Sequence, residues 1–325
     1  MSLLGRDLAM DLGAASTRIY VRRKGIVLDE PSAVTLDDRT GKVIRYGAEA
    51  ARDGDGQTRW PVSGGLPADT ELAQRMIKHF LRKVHRHPFF RPRIVMALPN
   101  DSTPIDRTAL HDIAFEAEAR GIVLIPHALA AAMGAGLPVR DCPGSMVIDV
   151  GRDSARIAVL SRGTVVAYGA VPFGGHAVNM SLIRLVEREH GLLLDEAEAE
   201  SAKRRTDVHG QVVVMARDPD SGRSCALPLP VRSIDEAADR PIEAVVSEAV
   251  ETVARCPAEL TADLGERGAV LVGGGALLRG LERRLRAALH MPVRRAERPM
   301  DSVALGLGRC VDDRGLAGRL REWHS

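Results

Sequence analysis

The sequence predicts an α/β protein built from two related halves, and three observations carry that prediction. Strand and helix signals alternate along the whole chain. One strand-turn-strand segment occurs twice in register, and a late strand runs into three consecutive glycines.

Runs rich in β-branched and aliphatic residues mark strands at Leu8 to Leu12, Arg18 to Val21, Ile26 to Leu28, Ile94 to Leu98, Met146 to Val150, Arg156 to Leu160, Thr164 to Tyr168 and Ala269 to Val272. Helices alternate with them. From Glu71 to His85, Leu72, Met76, Phe80 and Val84 form one stripe with Ile77 and Leu81 beside it, the 3.6-residue period of a core-facing helix. A second helix is expected after Thr103, with Pro104 at its first position and Asp106 favouring the positive end of the dipole. Ser233 with Glu236 reads as a capping box opening a helix that continues through Val253 and ends at Cys256 and Pro257.

Gly121 to Val139 is apolar apart from His127 and about long enough to span a bilayer. It is read instead as a buried strand over Ile122 to Ile125, broken by Pro126. The Ala and Gly that follow transfer only weakly into lipid.

The chain has 325 residues, enough for two domains with a substantial core. Lys+Arg 45 against Asp+Glu 43 leaves a net charge of +2, which argues against a protein held to nucleic acid by phosphate neutralisation. The basic residues are nearly all Arg. Cys142, Cys225, Cys256 and Cys310 lack metal-like spacing and no secretory leader opens the chain, so a reducing cytoplasm is the expected compartment.

The repeat is the most informative feature. Asp11-Leu12-Gly13-Ala14-Ala15-Ser16-Thr17-Arg18-Ile19-Tyr20-Val21 recurs as Asp149-Val150-Gly151-Arg152-Asp153-Ser154-Ala155-Arg156-Ile157-Ala158-Val159, with Asp, Gly, Ser, Arg, Ile and Val matched. Each copy reads as a hairpin with a small, hydroxyl-bearing turn. Such turns point backbone N–H groups into one concavity, hydroxyls add donors, and the Asp at the strand end is placed to hold Mg²⁺ through water. One D-x-G hairpin is an ordinary turn; two in register read as a clamp on a phosphate, with Asp11 and Asp149 as the metal-facing pair. The third feature, Ala269 to Val272 followed by Gly273-Gly274-Gly275-Ala276-Leu277-Leu278 and a helix striped by Leu281, Leu285 and Leu289, is a strand-glycine-helix corner that admits a ligand against the backbone.

On these residues the chain resembles the MreB rod-shape proteins of the actin, hexokinase and heat-shock chaperone superfamily, over nearly its whole length. Asp11 to Val21 looks like the family's first phosphate loop, Gly25 to Ser32 like the segment after it, Gly134 to Val139 matches, and Gly273 to Leu278 is similar to its adenosine motif. Glu196 to Glu200 with Lys203 resembles the helix that contacts ribose and adenine. The resemblance implies an actin-like fold of duplicated ribonuclease-H-like domains around a nucleotide cleft. A first half over 1–140 carries a smaller insertion near 32–70. A second half over 141–325 carries one near 178–246, with about 311–325 packing back on the first. It implies ATP or ADP with Mg²⁺, held by Asp11, Gly13, Ala14, Ala15, Ser16, Thr17, Asp149, Gly151, Arg152, Ser154, Gly174, Gly175, Glu200, Lys203, Gly273, Gly274, Gly275 and Leu277.

Departures from the family bear on catalysis. Its second loop reads Asp, aliphatic, Gly, Gly, Gly, Thr, Thr, whereas Gly151 is followed here by Arg152, Asp153, Ser154 and Ala155. Asp153 repels phosphate unless Mg²⁺ or Arg152 intervenes, while Arg152 can itself grip one bidentately. At Pro126-His127-Ala128 the family has Glu-Glu-Pro, whose glutamate positions the attacking water. His127 and Ser154 stand at the catalytic-loop positions, His127 being read as a solvated or capped loop histidine, and Ser63 and Gly64 replace a further charged pair. Weak or absent ATP hydrolysis follows.

In Pro88-Phe89-Phe90-Arg91-Pro92-Arg93, two of the chain's five Phe sit side by side between basic neighbours. Phe89 and Phe90 are the candidate contacts to an anionic membrane surface, as the corresponding loop is in the family. The resemblance implies a cytoplasmic protein peripheral on the inner membrane face, forming head-to-tail filaments with itself or a paralogue and serving cell shape with wall-elongation proteins, without nucleic acid. Two alternatives stay open: a degenerate paralogue that modulates an active partner, and a small-molecule kinase of the superfamily, against which the missing loop carboxylate counts.

Overall fold

A computed structural model describes residues 7–52, 57–84, 91–139, 144–205 and 210–313, together with 315, 316 and 318. The first part runs β1 (Leu8–Leu12), β2 (Ser16–Val21), β3 (Gly25–Pro31), β4 (Val34–Leu36), β5 (Val43–Tyr46), α1 (Ala48–Ala51), β6 (Gln57–Arg59), β7 (Val62–Ser63), β8 (Leu66–Pro67), α2 (Thr70–Val84), β9 (Arg93–Leu98), α3 (Pro104–Glu116), β10 (Gly121–Pro126) and α4 (His127–Gly134). The second runs β11 (Ser145–Val150), β12 (Ala155–Ser161), β13 (Thr164–Val171), α5 (Gly175–His190), α6 (Glu196–Arg204), β14 (Gln211–Arg217), β15 (Ser224–Pro230), α7 (Val231–Ala254), α8 (Ala258–Arg267), β16 (Ala269–Val272), α9 (Leu281–Leu289), β17 (Val293–Arg295) and α10 (Ser302–Asp312).

The two main sheets have one topology. The first is ordered β3-β2-β1-β9-β10 and the second β13-β12-β11-β16-β17; in each, the three hairpin strands are antiparallel and the last two run parallel to the first. The duplication seen in one loop of the sequence thus extends to ten strands. Smaller sheets, β5-β4-β6 and β14-β15, are inserted in the respective halves.

Why α4 is so poor in large side chains follows from its place. With α10 it lies between the two sheets, in a cluster that takes Ala9, Val95 and Ile125 from the first sheet and Val147, Ala158 and Val270 from the second. The two helices touch backbone to backbone: a Cβ on Gly134 would stand 1.6 Å from the Ser302 carbonyl oxygen, and one on Gly306 would stand 1.8 Å from that of Ala130. Ala128, Ala130, Ala131 and Ala132 are all buried there. The membrane-like composition of 121–139 is therefore that of a strand and a close helix crossing, and no described helix is long and apolar enough to cross a membrane. α10 also packs on β1, β2 and β9, with the Tyr20 hydroxyl donating to Asp312 Oδ2 at 2.6 Å.

Thr103 and Asp106 form a reciprocal capping box with Pro104 in the first turn of α3, and α2 buries Met76, Ile77, Phe80 and Leu81. Ser233 and Glu236 do not cap a helix: α7 begins at Val231, directly after Pro230, whose extended backbone ends β15. The corner after β16 is not a direct helix start either, since a one-turn 3₁₀ segment, Gly274–Leu277, precedes α9.

Candidate functional site

The repeated hairpins close in the same way. Gly13 N–H donates to the Ser16 carbonyl at 3.1 Å and Gly151 N–H to the Ser154 carbonyl at 2.9 Å. Behind the first turn, Ser32 Oγ donates to the Gly13 carbonyl at 2.6 Å and shares a 2.9 Å hydrogen bond with Thr17 Oγ1. Thr17 is fully buried, so its hydroxyl holds the turn from behind rather than facing the cleft. Ala14 is nearly buried, while Ala15 is exposed and Ser16 half-buried at the turn surface.

The strand-end carboxylates come together. Asp11 is buried and Asp149 mostly so, and Asp11 is pushed up to about 6, chiefly by burial, with His127 and Arg18 opposing and Asp149 reinforcing. For Asp149, burial also pushes upward, but the hydrogen bond and charge of His127, with the charge of Arg156, hold it below the usual carboxylate range. The His127 Nε2 to Asp149 Oδ2 distance is 2.6 Å. His127 is therefore not a solvated loop histidine: it opens α4, its side chain is mostly buried, and it ties the first half to the second. Asn100 Oδ1 accepts from Ala128 N–H and fixes that helix start.

Gly273 abuts the same carboxylate. It has φ 78°, and a Cβ there would lie 2.3 Å from Asp149 Oδ1, so a side chain is excluded both by conformation and by space. Gly275 packs on Val150, whereas at Gly274 no heavy atom comes within 4 Å of a Cβ, and Leu277 is half-exposed beside it. Asp11, Asp149 and the glycine corner thus share one neighbourhood.

On the other side of the second turn, Gly175 N–H donates to the Gly151 carbonyl at 2.9 Å and His176 N–H to that of Arg152 at 2.8 Å, so Gly174 and Gly175 press the start of α5 onto the loop. Lys203 Nζ donates to the Gly175 carbonyl at 2.9 Å and pairs with Glu200, which also accepts from Asn179. Among these groups the carboxylate of Glu200 is pushed up by burial yet held low by Lys203 and Asn179.

Arg152 is engaged by protein groups. Its guanidinium pairs with Asp153 at 3.2 Å and Glu196 at 2.8 Å and lies over the Trp60 ring at 4.4 Å. Trp60, Glu196 and His176, which bonds Glu196 at 2.7 Å, carry no local sequence signal that links them to this loop. The signal for Trp60 was its rarity, one of two Trp in the chain. Phe89 and Phe90 lie outside the described residues, and among the described residues no group of three or more His, Cys, Asp or Glu is arranged to hold a metal ion.

Comparison with known proteins gives the same outline. The family model for MreB/Mbl protein matches residues 5–317. The chain is 37% identical to the cell shape-determining protein MreB of Escherichia coli K12 over 95% of its length and 94% of that protein's, and 34% identical to Mbl of Bacillus subtilis 168 over 96% and 97%. The chain belongs to the MreB/Mbl family. Its actin-like fold matches the crystal structure of Spiroplasma citri MreB5 bound to AMPPNP with a TM-score of 0.89 at 24% identity, covering 98% of this chain and 99% of the other. A subunit of the MamK double helical filament aligns with a TM-score of 0.81 at 17% identity, covering 95% and 99%. Within this MreB/Mbl fold, Arg152 over Trp60 and His127 on Asp149 are side-chain contacts that join the second repeated hairpin to residues of the first half.

Proposed function

We infer that the chain is a cytoskeletal, cell shape-determining subunit that binds ATP or ADP with Mg²⁺ between its halves and hydrolyses it weakly or not at all. It assembles head to tail with copies of itself or a family paralogue and lies on the inner face of the cell membrane beside the wall-synthesis machinery. Full-length similarity to cell shape-determining proteins supports the role, and structural neighbours bound to AMPPNP and ADP support the ligand.

The residues present fit a nucleotide. Open space surrounds Gly274, and Arg156 Nε and Asn179 Oδ1 are buried with no hydrogen-bond partner among the described residues. The turns Gly13–Ser16 and Gly151–Ser154 would take the phosphates, Asp11 and Asp149 the metal through water, and Gly273 to Leu277 with Glu200 and Lys203 the nucleoside. When bound, Mg²⁺ would bring a positive charge that offsets the repulsion between the Asp11 and Asp149 carboxylates. Asn100 and the start of α4 hold His127 in place, and the hydroxyl of Ser32 keeps the first turn shut.

The weak-hydrolysis reading is carried by the 2.6 Å hydrogen bond between His127 and Asp149. The residue that follows β10 has no carboxylate, and its Nε2 is held by Asp149, so the carboxylate that would position water is missing from this place. Phosphate release by the purified protein should be far slower than that of an intact relative, and His127→Glu should raise it. Wild-type turnover at an ordinary family rate, abolished by changing Asp11, would overturn this reading. The modulator variant, in which the chain co-assembles with an active paralogue, is favoured by the charged Arg152-Asp153 pair in the second turn.

A further inference from the structure

Among the described residues, several side-chain contacts join the second sheet's hairpin strands to residues of the first half. Arg156 Nη2 donates to the Gly64 carbonyl at 2.7 Å, bridging β12 to the turn between β7 and β8. Arg152 of the second hairpin stacks on Trp60 between β6 and β7. His127 at the start of α4 meets Asp149 at the end of β11. The Tyr168 hydroxyl, on β13, donates to Asp101 Oδ1 after β9 at 3.2 Å.

Their chemistry is self-contained. Arg152, with only 15% of its side chain exposed, has its charge matched by Asp153 and Glu196 on its own side and its flat face covered by an indole on the other. Stacking of this kind is stronger where water is excluded, and the guanidinium is weakly hydrated enough to favour it. Arg156 spends an N–H on a backbone carbonyl, which keeps its acceptor strength whatever else enters the cleft. In the first hairpin the matching Arg18 pairs with Asp29 on the neighbouring strand and with Asp301 just before α10, at 3.2 and 3.1 Å. Each copy of the hairpin therefore uses its repeated arginine to grip structure beyond the hairpin turn.

We propose that Arg152 on Trp60 and Arg156 on Gly64, together with the His127–Asp149 bond, form a clasp that holds the two halves closed using the chain's own side chains, so that closure is uncoupled from nucleotide. An arriving phosphate competes for Arg152 with two carboxylates and an aromatic face instead of recruiting a free cation. The clasp stands independently of nucleotide affinity, because it is read on protein without nucleotide.

Amide hydrogen exchange followed by mass spectrometry tests it, on monomeric full-length protein with and without Mg-AMPPNP, while binding of a fluorescent nucleotide is measured separately. Wild-type protein without nucleotide should protect peptides covering residues 57–67 and 151–161, with less than roughly twofold change on adding Mg-AMPPNP. Trp60→Leu and Arg152→Gly should each accelerate exchange in both segments by roughly tenfold, while peptides from β1 and β9 stay protected, which separates opening from unfolding. Trp60→Phe, which keeps a ring, should retain wild-type protection. If both Leu and Gly variants exchange like wild type, or if wild type gains roughly tenfold protection only when nucleotide is added, the clasp is wrong. Failure of the fluorescent nucleotide to bind would count against the proposed function and leave the clasp measurement intact.

Discussion

Replacing Gly306 by Ala adds one methyl group, and the structure assigns it a large cost. The new Cβ would lie 1.8 Å from the Ala130 carbonyl oxygen and 3.0 Å from Gly134 N, both backbone atoms that have no rotamer to change. Bringing the first contact to 3.0 Å requires α4 and α10 to part by about 1.2 Å. A gap of 0.5–1 Å already forfeits roughly a quarter to a half of a dispersion contact, and the groups that would lose contact include Val303, Leu307, Cys310 and Val311, all buried in the cluster between the sheets. Overpacking of this kind costs about 3 kcal/mol. Ala gains roughly 1 kcal/mol over Gly in helix propensity, so the net expected loss is about 2 kcal/mol, or roughly 3 °C in Tm for a chain of 325 residues. Gly265 in α8 is the control: a Cβ there meets nothing within 4 Å, so Gly265→Ala should stabilise by roughly 1 kcal/mol from the same propensity. Thermal unfolding by circular dichroism reads both. A Gly306→Ala protein as stable as Gly265→Ala would show that propensity alone governs both sites and that the helices do not touch as described.

Two further outcomes follow from charge and from the connector before β9. Because burial raises Asp11 to about 6 from an ordinary 3.8, the folded protein binds more protons than the unfolded chain between those values, and this group's contribution to stability falls as pH rises through that window. Asp11→Asn should therefore stabilise the nucleotide-free protein at pH 7.5 by up to about 3 kcal/mol, the gain shrinking to nothing by about pH 4; urea melts in which the gain is independent of pH would contradict this. Phe89→Ser with Phe90→Ser should weaken pelleting with anionic liposomes without lowering Tm, and unchanged pelleting would remove these residues from the membrane-contact proposal.

The sequence made the duplication legible because both hairpins are local. Asp, Gly, Ser, Arg, Ile and Val recur at fixed offsets, and the structure gives both turns the same N–H to carbonyl closure. The core face of α2 and the start of α3 were likewise readable, since periodicity and a proline at the first helical position act over a few residues, whereas the capping box of Thr103 with Asp106 is added by the structure. The partners of Arg152 and Arg156 were not: Trp60 and Gly64 lie some ninety residues earlier, and nothing local links an arginine to an indole across a cleft. His127 was misjudged for the same reason, its partner Asp149 being on the opposite half. The Ser233–Glu236 pair had the right residue types in the wrong place, because Pro230 had already turned the chain into α7. The small residues of 128–134 carried no sign of their purpose until α10 was seen against them.

Gly274 offers the most direct measurement of whether the glycine corner faces a nucleotide. Its surroundings leave room for a side chain and its backbone does not require glycine, so Gly274→Val should keep the Tm of the parent protein. Titrated with a fluorescent ATP analogue in Mg²⁺, the parent should bind and the variant should bind at least roughly tenfold more weakly, the effect of a branched side chain standing where the ligand lies. Equal affinity in the two proteins, or no binding by the parent, would contradict the account.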